Sequence, residues 1–506
     1  MSPRGVVAAG HPLTAEAGAA ILREGGNAVD AAVAAVVASF PVESALTGLG
    51  AGGFMVVKGP DCDAVVIDFF VAAPGQGGHE LGEELVPVPV HFDASTTQIF
   101  NAGAASCGVP GTAAGLEMAL DRFGSVPMDE LVGAGVGLAR EGSPLNSQQA
   151  YVLRILEPIY TATAEARAIY APEGRILREG ETLRNPDLAE ALERFGAEGA
   201  ESIYAGEVPE AVEDYVCSRG GVLSAADMNS YRAIPREPVG ARYLGHEILT
   251  NPPPSAGGIL IAYCLALLER LGTDPGPVEL AEVMDAANGA RGEEFATNLA
   301  RPGFAQEFLA EDSLRRALER PDRLGSTTHL AAMDEAGLCA SVTCSNGTGS
   351  GMVVPGTGIH LNNMLGEEDL NPLGFHRAAP GTRVSSMMSP TLVLSGGEVV
   401  AGLGSAGSNR IRSAILQTTL NLLTGKLDPQ QAVDAPRIHL EGGLLQAEPG
   451  VDPTALGRLE ERGQQVFRWS ERNLFFGGVQ VVTRDPASGR LGGGGDPRRG
   501  GSVAYA

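Results

Sequence analysis

Lysine is almost missing from this chain. Only Lys58 and Lys426 occur in 506 residues, and arginine carries the rest of the fixed positive charge. Basic residues number 36 against 61 acidic ones, a formal net charge of −25. So acidic a surface repels phosphate backbones, and no Lys/Arg cluster offsets it, which argues against nucleic acid as a partner. Long apolar runs are missing too. The best candidate, Ile259 to Leu268, has about half of the ~20 residues that a membrane span needs, and Glu269-Arg270 follows it. It reads as a buried helix, and a membrane is not expected as a partner. The first residues show no charged segment followed by a long apolar one, so the expected location is the cytoplasm. Cysteine is sparse, six in all, and Cys339 and Cys344 have no His at metal-ligand spacing. Reduced structural thiols are expected. The eight histidines are scattered, so no metal site and no cofactor is expected.

What is present is an ordinary globular composition, 44% hydrophobic and 19% charged, ample for a buried core. Length alone admits about three domains. The first 50 residues read as helical, with a start at His11-Pro12, a stop at Gly25-Gly26-Asn27 and a second, almost wholly apolar helix over Ala28–Ala38. Short strands follow at Phe54–Val57 and Ala64–Ile67. From about 105 to 320 the texture is mostly helical, including Gly111–Phe123, Met128–Arg140, Asp187–Phe195 and Pro209–Val216. From Thr327 onward it turns to strand and hairpin. Thr328–Met333 and Leu338–Thr343 flank a turn at Asp334–Gly337, and further strands are expected at Thr391–Leu394, Val399–Leu403 and Val479–Val482. Gly492–Gly495 reads as loop.

Gly48-Leu49-Gly50-Ala51-Gly52-Gly53 fits the pattern of a dinucleotide fingerprint, but no strand leads into it and no helix follows, so it reads as a tight turn. Glu367-Glu368-Asp369 reads as a solvated acidic face. Thr327-Thr328-His329 alone reads as the start of an edge strand. Its place at the switch from helical to strand texture, and its downstream company, give it more weight. That company is Ser345-Asn346-Gly347, Leu361-Asn362-Asn363, Ser385-Ser386-Met387-Met388 and Gly404-Ser405-Ala406-Gly407-Ser408-Asn409-Arg410.

With these blocks on the page, and with His11-Pro12, Gly25–Ala34, Gly48–Met55, Gly108–Gly111, Asn251–Gly258, Ala432–Arg437 and Asp496–Gly500 in the same order, the chain resembles the γ-glutamyltranspeptidase family of N-terminal-nucleophile hydrolases. The resemblance runs nearly end to end. It implies an α+β fold, a four-layer αββα sandwich, with Thr327 on a central strand. It also implies a precursor that cuts itself at the Ser326–Thr327 bond, leaving a large subunit, 1–326, and a small one, 327–506, which form one catalytic unit.

The chemistry fits those residue types. A Thr hydroxyl is a poor nucleophile until a base takes its proton. An α-amine with a pKa of about 7.7–8.0 suits that role and is always within reach on the same residue. By resemblance, Ser345 orients the nucleophile, and the backbone N–H groups of Gly407 and Ser408, where the family usually has Gly-Gly, hold the oxyanion. Asn346, Glu367, Ser385 and Ser386 match substrate-binding positions.

Two positions depart from the family. In Asp68-Phe69-Phe70-Val71-Ala72-Ala73-Pro74, Phe70 stands where the family's Arg grips the α-carboxylate of a glutamyl group, and a phenyl ring cannot make that bidentate pair. Met364 stands where a Glu or Gln helps to hold the α-amine. The expected partners are therefore a small-molecule amide and water or an amine acceptor. The leading reading is a self-processing Thr-dependent amide hydrolase or acyltransferase on γ-glutamyl compounds such as glutathione or on a related acyl amide. The first alternative is an acylase for a glutaryl-type acyl group, expected to dispense with the α-carboxylate as well as the α-amine. A non-catalytic binding module is the second, opposed by the retention of Thr327 and Ser345. Phe70→Arg is expected to improve γ-glutamyl hydrolysis.

Overall fold

Successive residues of the strand Gly5–Ala9 enter two different hydrophobic cores, Val6 and Ala8 one, Val7 and Ala9 the other. The same alternation runs along Gly52–Gly59 and Thr328–Asp334, where Ala331 and Met333 part from Leu330 and Ala332. Strand side chains point to opposite faces in turn. A sheet apolar on both faces must therefore lie between two other layers. The computed structural model describes residues 3–82, 84–91, 97–272, 275–310, 327–425 and 427–506.

The first sheet has seven strands, in the order Ser502–Tyr505, Gly5–Ala9, Thr328–Asp334, Cys339–Ser345, Gly52–Gly59, Cys62–Phe69 and Ile234–Arg236. Six strands form the second: Leu491–Gly495, Gly478–Arg484, Glu398–Ala406, Thr391–Ser395, His246–Thr250 and Val239–Tyr243. Neighbours in both are antiparallel. The helices Pro12–Glu24, Ala28–Val42 and Thr112–Phe123 share a core with the outer face of the first sheet. Ala256–Leu271 and Arg410–Leu423 pack on the second sheet. The result is the αββα sandwich. Each sheet contains strands from both before and after residue 326, so the sandwich cannot be divided by length into separate domains.

Local chemistry explains the helices nearest the site. Asn27 caps Ala28–Val42: its side chain accepts from Val29 N and Asp30 N, and Asp30 Oδ2 accepts from Asn27 N at 2.9 Å. That reciprocal box satisfies donors that the helix start would otherwise orphan. All of Ala28–Val42 is buried, as its apolar composition predicts. Among the described residues no helix is long and apolar enough to cross a membrane.

Four expectations change. The first element is the strand Gly5–Ala9, not a helix. The helical stretch from 105 to 320 is interrupted by three strands between Ile234 and Thr250. Gly492–Gly495 lies in a strand, paired with Gly478–Arg484. Its glycines are packing residues, since a Cβ on Gly494 would stand 2.5 Å from Pro429 O and one on Gly493 2.6 Å from Val503 Cγ1. Finally, Glu367 and Asp369 are buried and only Glu368 of that trio is exposed, so it is no solvated face. The turn at 48–53 is as expected. Asn362 Nδ2 donates to Gly50 O at 2.8 Å, and a Cβ on Gly50 would meet His360 O at 2.1 Å.

Candidate active site

The hairpin Thr328–Asp334 and Cys339–Ser345 carries the site. Its register pairs Thr328 with Cys344. Continuing that antiparallel register by one residue sets Thr327 across from Ser345, at the end of a central strand. Both are buried. Ser326 lies outside the described residues, so the expected cleavage bond is described only on its Thr327 side. Ser345 Oγ accepts from Gly347 N at 2.8 Å, which turns the chain sharply after the strand.

Thr328 points to the helical layer, where its hydroxyl donates to Glu43 Oε2 at 2.6 Å. Glu43 ends the helix Ala28–Val42 and also accepts from Thr14 Oγ1 at 2.9 Å. Burial pushes its carboxyl above the ordinary range, opposed by those two hydroxyls. Gly10 permits this approach, since a Cβ there would stand 2.5 Å from Glu43 Oε2. Glu43 thus fixes the start of the strand Thr328–Asp334 across 285 residues of sequence. No local pattern marks it.

His329 faces the second sheet. Its Nδ1 lies 2.8 Å from Thr343 Oγ1, and its Nε2 has no hydrogen-bond partner among the described residues. Burial lowers its pKa to about 3. The ring is therefore neutral and packed under Gly404.

Two substrate-binding candidates carry buried polar atoms without a hydrogen-bond partner among the described residues. Asn346 is fully buried, and neither atom of its side-chain amide has a partner among the described residues. Glu367 Oε1 is in the same state. The two adjoin, because Asn363 N donates to Asn346 O at 3.1 Å and a Cβ on Gly347 would lie 2.8 Å from Glu367 Oε1. Orphaned buried polar atoms cost about 1–3 kcal/mol each, so they persist where something completes them. By contrast, Asn362 and Asn363 are consumed by the scaffold: Asn362 bonds Gly50 and Gly108, Asn363 bonds Asn101 and Thr348.

Glu367 is held up to about 8, first by burial and then by the neighbouring Asp369 charge. In the unfolded chain it titrates near 4.5. Between those values the folded state binds one more proton, so Glu367 lowers stability as pH rises through that window. Glu367→Gln is expected to remove this slope and to stabilise the protein most at alkaline pH. Thermal melts of both proteins at about pH 5 and about pH 8.5 check this. Parallel pH dependences would show that Glu367 titrates normally.

Gly407 and Ser408 follow the strand Glu398–Ala406, which packs in the facing sheet. Both have positive φ, +116° and +51°. The Ser408 hydroxyl donates to Asp369 Oδ2 at 2.6 Å, and Asn409 Nδ2 donates to the same oxygen at 3.1 Å. Asp369 is raised to about 6 by burial, against the pull of Arg291. Arg410 is buried, donates through Nε to Phe475 O at 2.9 Å and lies over the Phe475 ring. Burial lowers its pKa to about 10.

Ser385 and Ser386 diverge. Ser385 is half-buried on the wall of a cavity of about 450 Å³ that Arg291 and Glu368 also line. Ser386 is buried, its Oγ accepts from Met388 N at 3.1 Å, and its carbonyl caps the helix Ala256–Leu271.

The Phe70 ring is fully buried, 5.4 Å from Phe54 and stacked on it. The nearby arginines are committed as well. Asp68 holds Arg236 at 2.7 Å and Arg383 at 3.2 Å, and Arg383 also stacks on Tyr231. Phe70 is therefore packed in the core beside the site. Met364 is likewise buried in that core. The smaller recess beside Gly10, Glu43, Leu474 and Arg499, about 40 Å³, holds no more than a few waters.

Comparison with known proteins agrees with this fold. The family described as Gamma-glutamyltranspeptidase matches residues 14–506. The chain is 33% identical over 513 residues to the Acylase ACY 1 proenzyme of Pseudomonas sp. (strain SE83), covering 96% of this chain and 90% of that protein. It is 30% identical over 542 residues to the Glutathione hydrolase proenzyme of Bacillus subtilis (strain 168), covering 99% and 91%. Among solved structures, the cephalosporin acylase from Bacillus halodurans superimposes with a TM-score of 0.83 at 26% identity, over 99% of this chain and 96% of that one.

Proposed function

The chain belongs to the γ-glutamyltranspeptidase family of hydrolases and transferases, and on that premise we propose that it is a self-processing N-terminal-threonine amidase whose acyl group carries no α-carboxylate. Processing begins when Thr327 Oγ attacks the Ser326 carbonyl. The acyl group moves from nitrogen to oxygen, and water opens the ester, giving a 1–326 subunit and a 327–506 subunit with a free α-amine. The proenzyme names of both relatives support this step.

In turnover the α-amine takes the proton of Thr327 Oγ as oxygen attacks the substrate carbonyl. Backbone N–H groups at Gly407 and Ser408 stabilise the oxyanion, where a single donor is typically worth about 10²–10³ in kcat. Collapse breaks the C–N bond, and the leaving amine departs with that proton. Water or an amine then attacks the ester, the α-amine takes up its proton and passes it to Thr327 Oγ as the acyl C–O bond breaks, and the acid or new amide leaves.

The observation that carries the choice of acyl group is Phe70. It stands at the Arg position, is buried against Phe54, and has its neighbouring arginines held by Asp68. A glutaryl group does not escape this difficulty. It differs from a γ-glutamyl group only by the missing amine, and its far carboxylate is equally distant from the scissile carbonyl. The expectation that glutaryl dispenses with the carboxylate is corrected on that ground. A neutral carboxamide suits the orphaned Asn346 amide and a protonated Glu367 better. One observation favours a γ-glutamyl group instead: an α-ammonium would give Glu367 Oε1 its partner.

The p-nitroanilides of γ-glutamyl, glutaryl and 4-carbamoylbutyryl acids separate these readings. An unpaired buried charge costs about 3–5 kcal/mol, so the carbamoyl compound is expected to have a KM about a hundredfold below the glutaryl one. A glutaryl or γ-glutamyl KM equal to or below the carbamoyl value would overturn the proposed acyl class.

A further inference from the structure

Where the family usually has two glycines for its oxyanion donors, this chain has a serine at the second, and Ser408 is one of three non-glycine residues with positive φ among the described residues. A side chain in that region is disfavoured, so it persists only where its surroundings hold it. Here the holding group is visible. Ser408 Oγ donates to Asp369 Oδ2 at 2.6 Å, and the same oxygen accepts from Asn409 Nδ2 at 3.1 Å. Asn409 is fastened on two further sides, by Glu441 Oε1 at 2.8 Å and by Arg291 Nη1 at 3.3 Å. Arg291 Nη2 in turn donates to the Asp369 carbonyl at 2.9 Å. Every member is buried or nearly so. Asp369 stands in the short 3-10 turn Glu368–Leu370, directly after Glu367.

We propose that Asp369 is a positioning residue: its carboxylate braces the Ser408 hydroxyl so that the Ser408 N–H stays aimed at the oxyanion. This inference rests on the reading of Gly407 and Ser408 as oxyanion donors. It explains how a serine is tolerated where glycine is usual. It also ties the oxyanion loop to the segment that carries Glu367, so that substrate-binding and charge-stabilising groups move as one.

The test is a comparison at position 408. Glycine adopts positive φ freely, whereas alanine keeps the Cβ and loses the brace. Ser408→Ala is therefore expected to lose roughly tenfold to a hundredfold in kcat, with KM within about twofold, and Ser408→Gly is expected to lose less. Asp369→Ala should resemble Ser408→Ala in wild type, yet cost less than about threefold in the Ser408→Gly background, the non-additivity of a shared bond. If Asp369→Ala does not fold, the alanine-against-glycine comparison at 408 stands alone, because both variants keep the buried carboxylate and its Asn409 partner. An active wild type in which Ser408→Ala is as fast as Ser408→Gly overturns this inference alone. A wild type that neither cleaves itself nor hydrolyses amides overturns the threonine mechanism with it.

Discussion

Thr327→Ala is expected to run as a single uncut chain and to hydrolyse no amide substrate, whereas wild type should run as two bands of roughly two-thirds and one-third of the chain. The substitution removes the hydroxyl that attacks internally and the one that attacks substrate. Loss of an enzyme nucleophile typically costs about 10⁴-fold or more in kcat. Stability should change little. Thr327 is buried at a strand end, and its neighbour Thr328, not Thr327, makes the hydrogen bond to Glu43 that fixes the strand start. Thr327→Ser offers a second attacking hydroxyl and should recover part of both activities. Electrophoresis, N-terminal sequencing of the smaller band and a p-nitroanilide assay read all three proteins. An uncut wild type with full activity would sink the mechanism. So would an active Thr327→Ala.

Phe70→Arg is expected to destabilise the protein strongly and to leave γ-glutamyl turnover unimproved, contrary to what the family pattern predicts. The ring is fully buried and stacked on Phe54 at 5.4 Å. A guanidinium there replaces an apolar core contact with a charge. Asp68 is the natural acceptor, but it already binds Arg236, Arg383 and the Phe70 N–H. A buried unpaired charge costs about 3–5 kcal/mol, which in a chain of this length should lower the thermal midpoint by roughly 3–5 °C. Thermal melts and the KM for γ-glutamyl-p-nitroanilide measure both effects. A stable variant with a lower KM would place residue 70 on the wall of the acyl pocket after all.

The outcomes at these positions separate what was legible in the sequence from what was not. Hydrophobic alternation and the Asp-x-x-Gly turn located the hairpin Thr328–Asp334 and Cys339–Ser345, and a continuous apolar run located the helix Ala256–Leu271. Those signals are local, since side-chain period and turn chemistry act within a few residues. The ordered blocks from His11 to Gly500 likewise marked the family and the sandwich. The strand Gly5–Ala9 escaped because its partners are Thr328–Asp334 and Ser502–Tyr505, hundreds of residues away. Gly492–Gly495 was misread because glycine favours loops locally, whereas close packing on Pro429 requires its missing side chains. At the site, only tertiary structure decided which way each polar group faces. It turned Phe70 into the core, orphaned Asn346, buried Glu367, and joined Glu43 to Thr328 and Asp369 to Ser408. Residue types and their order sufficed to name the family. The positions of donors, charges and apolar walls depend on contacts between distant segments, and those contacts decide what the chemistry acts on.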